Sequence, residues 1–182
     1  MNDPSKLVTR FFTDIEEASA IGPVLDLACG NGRNGLYLVD EGISVTFADR
    51  NESSLMDIEM TLVMNAVLEK NNVWDVDLET ADFEGLPENH YGAVMVFRYL
   101  HRPLFNSIKN AIKPGGLIIY ETFTLMQANF GRPTNPDFLL HPNELNRVFG
   151  DWEILHSYEG ITTREGDNAK QATAQIVARK PE

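Results

Sequence analysis

Cysteine is almost missing from this chain. Cys29 stands alone, so no internal disulfide can form and a reducing compartment is expected. Cations are also scarce: 15 Lys and Arg face 27 Asp and Glu, for a net charge of −12. A surface that tracks phosphates needs clustered Lys and Arg. The nearest approach is Arg98 with Arg102, so no nucleic-acid partner is expected. No apolar run reaches the roughly 18 residues of a membrane span. The opening MNDPSKLVTRFF lacks the long apolar stretch of a secretory signal. No membrane partner, a cytoplasmic location and no metal site are the corresponding expectations. Repeats, low-complexity tracts and linker-like segments are absent too. Residues 1–182 are therefore expected to form a single domain with a sizeable core.

What remains alternates between strand and helix, which favours a parallel sheet covered on both faces. A helix is expected over Ser5–Ala18, with Leu7, Phe11, Phe12 and Ile15 near helical spacing. A buried strand follows at Val24–Leu27, a helix at Arg33–Asp40 and a strand at Ile43–Ala48. The next helix spans Ser53–Leu68, capped by Ser53 or Ser54. Val73–Thr80 reads as a strand with one wet face, and Ala93–Phe97 as a continuous apolar strand. An amphipathic helix at Leu104–Ile112 stops at Lys113-Pro114-Gly115-Gly116, ahead of a strand at Leu117–Tyr120. Glu121 to His141 has no clear period and reads as irregular. A short helix at Pro142–Phe149 leads to strands at Trp152–Tyr158 and Ala172–Ala178, joined by a loop and so expected to pair antiparallel.

The informative stretch is VLDLACGNGRNGLYL, Val24 to Leu38. A buried strand runs into Gly30-Asn31-Gly32, and a helix starts at once. Glycines there let the backbone turn sharply and let a ligand lie against it. The helix N-terminus adds N–H groups that suit a polar or anionic ligand group. Asp49, 19 residues beyond Gly30, closes the second strand, where a carboxylate can accept the hydroxyls of an adenosine ribose.

Two cofactors fit this description. Gly30 to Gly35 spells G-x-G-x-x-G, which also suits a nicotinamide dinucleotide. Asp26 argues against that ligand, because an anion at the strand tip would repel a pyrophosphate. S-adenosylmethionine (SAM) carries an ammonium and a sulfonium, and both favour a nearby carboxylate.

The run D-L-A-C-G-N-G-R-N-G, the Asp49 spacing, Ala81-Asp82-Phe83 and K-P-G-G together resemble the class I SAM-dependent methyltransferases over roughly residues 20–125. Within that class the chain looks most like the TehB-like tellurite-resistance methyltransferases. The shared features are the CGNGRN–LYL run, Phe138 spaced to Glu144-Leu145, Trp152-Glu153 and a final Ala-Arg-Lys. Where such members carry His-Arg before the last strand, this chain has Thr163-Arg164.

The resemblance implies a doubly wound, Rossmann-like α/β/α fold with seven strands ordered 3-2-1-4-5-7-6, strand 7 antiparallel. It implies that Asp26 and the loop Ala28, Cys29, Gly30, Asn31, Gly32 and Asn34 hold the methionine part of SAM. Asp49, followed by Arg50, would hold the ribose, while Asp82 and Phe83 would meet the adenine. Asp77-Leu78 offers a competing register for that last pair. Cys29 reads as a packing residue rather than a nucleophile.

Methyl transfer in line needs alignment and exclusion of water more than acid–base chemistry. The strand ending Phe97-Arg98-Tyr99-Leu100-His101-Arg102 should face the transferred group. There His101 is a candidate base or orienting group, or simply the start of the next helix. Tyr99 is a candidate wall or hydrogen-bond donor, and Phe97 a pocket or core residue. Arg98 and Arg102 would grip an anionic acceptor, with Glu121 and Arg132 completing the pocket and residues 121–141 as a lid. The expected activity is methyl transfer to a small acceptor: an anion, a metalloid or chalcogen oxyanion, or a thiol. The alternatives are a nicotinamide-dependent oxidoreductase and a non-catalytic SAM-binding module.

Overall fold

Seven strands among the described residues, 3–164 and 168–182 of this computed structural model, form one sheet. Its centre is β1 (Val24–Leu27), every residue of which is buried. β2 (Val45–Asp49) and β4 (Tyr91–Phe97) flank it in parallel, and β3 (Asn72–Asp75) adds the outer edge beyond β2. β5 (Ile112–Phe123) pairs parallel with β4, β7 (Lys170–Arg179) pairs antiparallel with β5, and β6 (Glu153–Thr163) lies antiparallel at the far edge. The order is β3-β2-β1-β4-β5-β7-β6, as the resemblance implies.

Alternate residues of each central strand enter opposite layers, as expected of strands covered on both sides. Val24, Val45, Phe47, Ala93, Met95 and Ile119 pack under α1 (Lys6–Arg10), α2 (Phe12–Ser19), α3 (Arg33–Asp40) and α4 (Glu52–Met64). Leu25, Leu27, Val94, Val96, Ile118 and Tyr120 pack under α5 (Phe105–Ala111) and α6 (Glu144–Phe149). No described helix is long and apolar enough to cross a membrane.

Several boundaries differ from those expected. The single N-terminal helix is two, because Phe11 leaves the helical conformation at φ −105° and places its ring 5.6 Å from His156. α4 begins one residue early, since the Asn51 side chain accepts from the Ser54 amide and so caps the helix in place of Ser53 or Ser54. Lys113-Pro114-Gly115-Gly116 does not precede β5 but lies within it. The pairing jumps from Tyr91↔Ile112 to Ala93↔Leu117, and Gly115 takes φ 76° to absorb the extra residues. β3 is shorter than expected and ends at Asp75, which turns Val76–Glu79 inward over the ends of the central strands.

Candidate functional site

β1 delivers the chain into a loop that needs left-handed backbone at three positions: Ala28 (φ 54°), Gly30 (φ 55°) and Gly32 (φ 70°). Ala28 is the one of these that carries a side chain against that conformation. Gly32 then starts α3 without any side-chain cap of its own. Asp26 supplies the cap from the neighbouring strand, its Oδ2 accepting the Gly35 N–H at 2.9 Å. Gly35 is required there, because a Cβ would meet Asp26 Oδ2 at 2.9 Å and collide with the Phe47 ring.

Burial decides the charge of Asp26. The residue is 3% exposed. Burial, opposed by the Gly35 hydrogen bond and helped by the Asp49 charge, lifts its carboxyl to about 7. The fixed anion expected from sequence is therefore a group that gains and loses its proton close to neutrality. The same burial, with Asp26 and Asp49 adding to it, pushes the Cys29 thiol up, and the side chain packs against the core.

Asp49 ends β2 beside the same loop. Its Oδ2 accepts the Gly30 N–H at 2.8 Å and its Oδ1 the Asn51 N–H at 2.9 Å. A cleft of about 490 Å³ opens beside it, between Ala28 and Asp49 on one side and Tyr99, Leu100 and Phe123 on the other. Asp77, Leu78 and Glu79 close one end, with Arg50 paired to Asp77 at 3.8 Å. Pro133 and Phe138 cross the front. Tyr99 Oη is the one buried side-chain polar atom among the described residues without a hydrogen-bond partner. Burial and the nearby Glu79 charge raise its phenol, so it stays a donor.

Arg98 separates this cleft from a second, of about 820 Å³, that starts at the cofactor loop. Arg98 adopts φ 59°, lays its guanidinium 4.5 Å from the Phe123 ring centre, donates to Gln171 at 2.9 Å and pairs with Glu121 at 3.2 Å. Glu121 is buried and also accepts from Gln175. Lys6, Arg33 and Arg164 reach the same space, beside Asn31 and Thr163. Sequence reasoning missed Lys6 and Arg33, which lie far from the strand ends in sequence and carry no pattern of their own.

Other expected site residues stand elsewhere. Asp82 is exposed, and Phe83 packs against Trp74 with ring centres 6.3 Å apart. The turn after β3 thus brings the competing register, Asp77-Leu78, to the 490 Å³ cleft instead. His101 does not reach either cleft. It precedes the turn Arg102–Leu104 and lines a separate recess with Phe83 and Ser107. Arg102 is committed to the protein: its Nε and Nη2 fork onto Glu144 at 2.7 and 2.9 Å, and it also donates to the Asp137 and Leu139 carbonyls. Arg132 is exposed and contributes its carbonyl to Gln127. Asn34 is buried with its Oδ1 on the Ser5 amide at 2.8 Å, so it anchors the N-terminal segment to the loop. Phe97 packs mainly into the core. Among the described residues no three His, Cys, Asp or Glu side chains are grouped to hold a metal ion.

This strand order, with a glycine loop between an acid on β1 and an acid ending β2, defines a class I SAM-dependent methyltransferase fold. Residues 5–174 match the family described as tellurite resistance protein TehB, and the chain belongs to that family. A probable S-adenosyl-L-methionine-dependent methyltransferase TehB of Haemophilus influenzae is 30% identical over 188 residues, 91% of this chain and 60% of the relative. The crystal structure of TehB from Haemophilus influenzae superposes with a TM-score of 0.72 at 26% identity, covering 93% of this chain and 62% of that one. The chain thus spans about 60% of the length of the curated relatives it matches. The [4+2]-cyclase SpnF shares the fold with a TM-score of 0.67 at 14% identity, covering 94% of this chain and 80% of that one.

Proposed function

We propose that this chain binds SAM in the 490 Å³ cleft and transfers its methyl group to a small anionic acceptor held in the neighbouring cleft. The observation that carries this reading is the pairing of a buried Asp26 under the glycine loop with Asp49 at the end of β2. A buried acid with its carboxyl near 7 suits a cationic ligand group, and a diphosphate there would meet a carboxylate instead of free amides. Asp49 and the loop would hold ribose and methionine portions. Tyr99 Oη, beside Glu79 in the lining of the cleft, offers a donor to the same ligand. When bound, SAM supplies a methyl carbon already activated by its sulfonium.

The chain's own residues supply placement. Lys6, Arg33, Arg98 and Arg164 outnumber Asp3 and Glu121 around the second cleft, a balance that favours an acceptor of negative charge. No histidine lines either cleft among the described residues, so a soft or already ionised nucleophile, such as a thiolate or a chalcogen oxyanion, suits the site best.

Because the same fold also carries a cyclase, the test must read both binding and turnover. Calorimetric titration with SAM, S-adenosylhomocysteine and NADH should show binding of the first two only. Transfer of labelled methyl to thiol, selenite and tellurite acceptors should follow. NADH binding without SAM binding would restore the oxidoreductase reading. SAM binding with no transfer to any acceptor would favour the non-catalytic module.

A further inference from the structure

Arg102 spends an unusual number of donors on one strip of backbone. The segment after β5 leaves at Phe123 and returns at Leu140, and its ends are stitched together by Leu125 N–H to Leu140 O at 3.0 Å and Leu140 N–H to Phe123 O at 2.9 Å. The strap between them touches the cofactor cleft with two residues, Pro133 and Phe138. Phe138 is 50% exposed, so its own packing holds it weakly. Its flanking carbonyls are held instead. Arg102 donates to Asp137 O at 3.1 Å and Leu139 O at 2.8 Å, one on each side of Phe138. Glu144 fixes the guanidinium through two bonds and also accepts the His141 N–H at 2.7 Å, where the strap ends. At the other contact, Gln127 donates to Arg132 O at 3.1 Å, just before Pro133, while its Oε1 accepts the Ala172 N–H of β7.

We infer that Arg102 and Glu144 are positioning residues that set cofactor affinity by holding Phe138 across the mouth of the cleft. This rests on the cleft being the SAM site. A planar guanidinium is the group for this task, because its fork makes four bonds here, to two carbonyls and both oxygens of a carboxylate, and an ammonium has only three donors. The pair acts on cofactor retention and leaves the reacting groups beside Arg98 untouched.

The test compares Arg102→Gln, Arg102→Lys, Phe138→Ala and the Arg102→Gln/Phe138→Ala double variant, each checked for a cooperative melt. SAM dissociation constants come from calorimetry, and kcat and KM from methyl transfer. The expected result for Arg102→Gln is a roughly tenfold rise in the dissociation constant and KM for SAM, with kcat within about twofold. Arg102→Lys should not restore affinity. Phe138→Ala, which removes an exposed side chain and should fold, should match Arg102→Gln, and the double variant should be no worse than either. Independent, multiplying effects would overturn the inference, as would SAM affinity unchanged by Phe138→Ala or a loss confined to kcat. If the unaltered protein binds no SAM, the cofactor reading fails and takes this one with it.

Discussion

The Gly30 N–H donates to Asp49 Oδ2 at 2.8 Å, joining two residues 19 apart in the chain. The bond ties the loop that would hold the methionine end of the cofactor to the carboxylate that would hold its ribose. These two parts of the site are therefore one unit. Asp49→Ala should weaken SAM binding at least tenfold. It should also cost the cofactor-free protein about 1–3 kcal/mol by leaving the Gly30 amide unpaired. Denaturant unfolding without ligand, beside calorimetry with SAM, separates the two effects. An unchanged unfolding midpoint would show that the bond contributes nothing.

Asp26 predicts a proton-linked affinity. Its carboxyl is raised from 3.8 to about 7, chiefly by burial. Between those values the native cofactor-free protein keeps a proton that the unfolded chain has lost. This stabilising contribution is complete below about 4 and is lost as pH rises through 7. Cofactor binding should run the other way, because a cation selects the carboxylate. SAM affinity should fall as pH drops below 7, with proton release on binding, seen as a buffer-dependent heat at pH 6.5. Asp26→Asn should remove the pH dependence and cost about 1.5–3 kcal/mol of binding.

The turn after β3 offers a direct choice between two acids. Asp77 lines the 490 Å³ cleft beside Arg50, whereas Asp82 is exposed and outside its lining. Asp77→Asn should lower SAM affinity several-fold, and Asp82→Asn should leave it unchanged. Side-by-side titration decides. The reverse order would return the adenine end to Asp82-Phe83.

Gly35→Ala should be among the most damaging single-methyl changes in the site. The added carbon meets the Phe47 ring and Asp26 Oδ2 together, both on buried strands that cannot retreat. Overpacking of this kind costs about 1–3 kcal/mol, measurable as a lowered melting temperature, and should also impair SAM binding.

The sequence was most readable where backbone demands are local. β1, the loop and α3 lie where the strand–glycine–helix pattern puts them, because buried residues and positive-φ turns leave few other solutions. Legibility failed where long-range contacts decide. Nothing within Arg102 or its neighbours marks it as a brace for a strap more than 30 residues on. His101 drew a catalytic reading from its residue type, but the turn that follows it directs it to another recess. Asp82 and Asp77 compete on equal terms in the chain, and only the early end of β3 separates them. The K-P-G-G signal marked the end of the preceding helix, but Ile112 pairs with Tyr91 and the Gly115 and Gly116 backbone bonds to Lys180, so β5 extends through it.

The room made by Gly35 has a wider consequence. In this chain the third glycine of G-x-G-x-x-G leaves room for the Phe47 ring and the Asp26 carboxyl. Packing between a strand and the helix that follows it can therefore impose the spelling without any dinucleotide. A search keyed to glycines alone would file the chain among dinucleotide binders, while the letter nine places upstream carries the distinction.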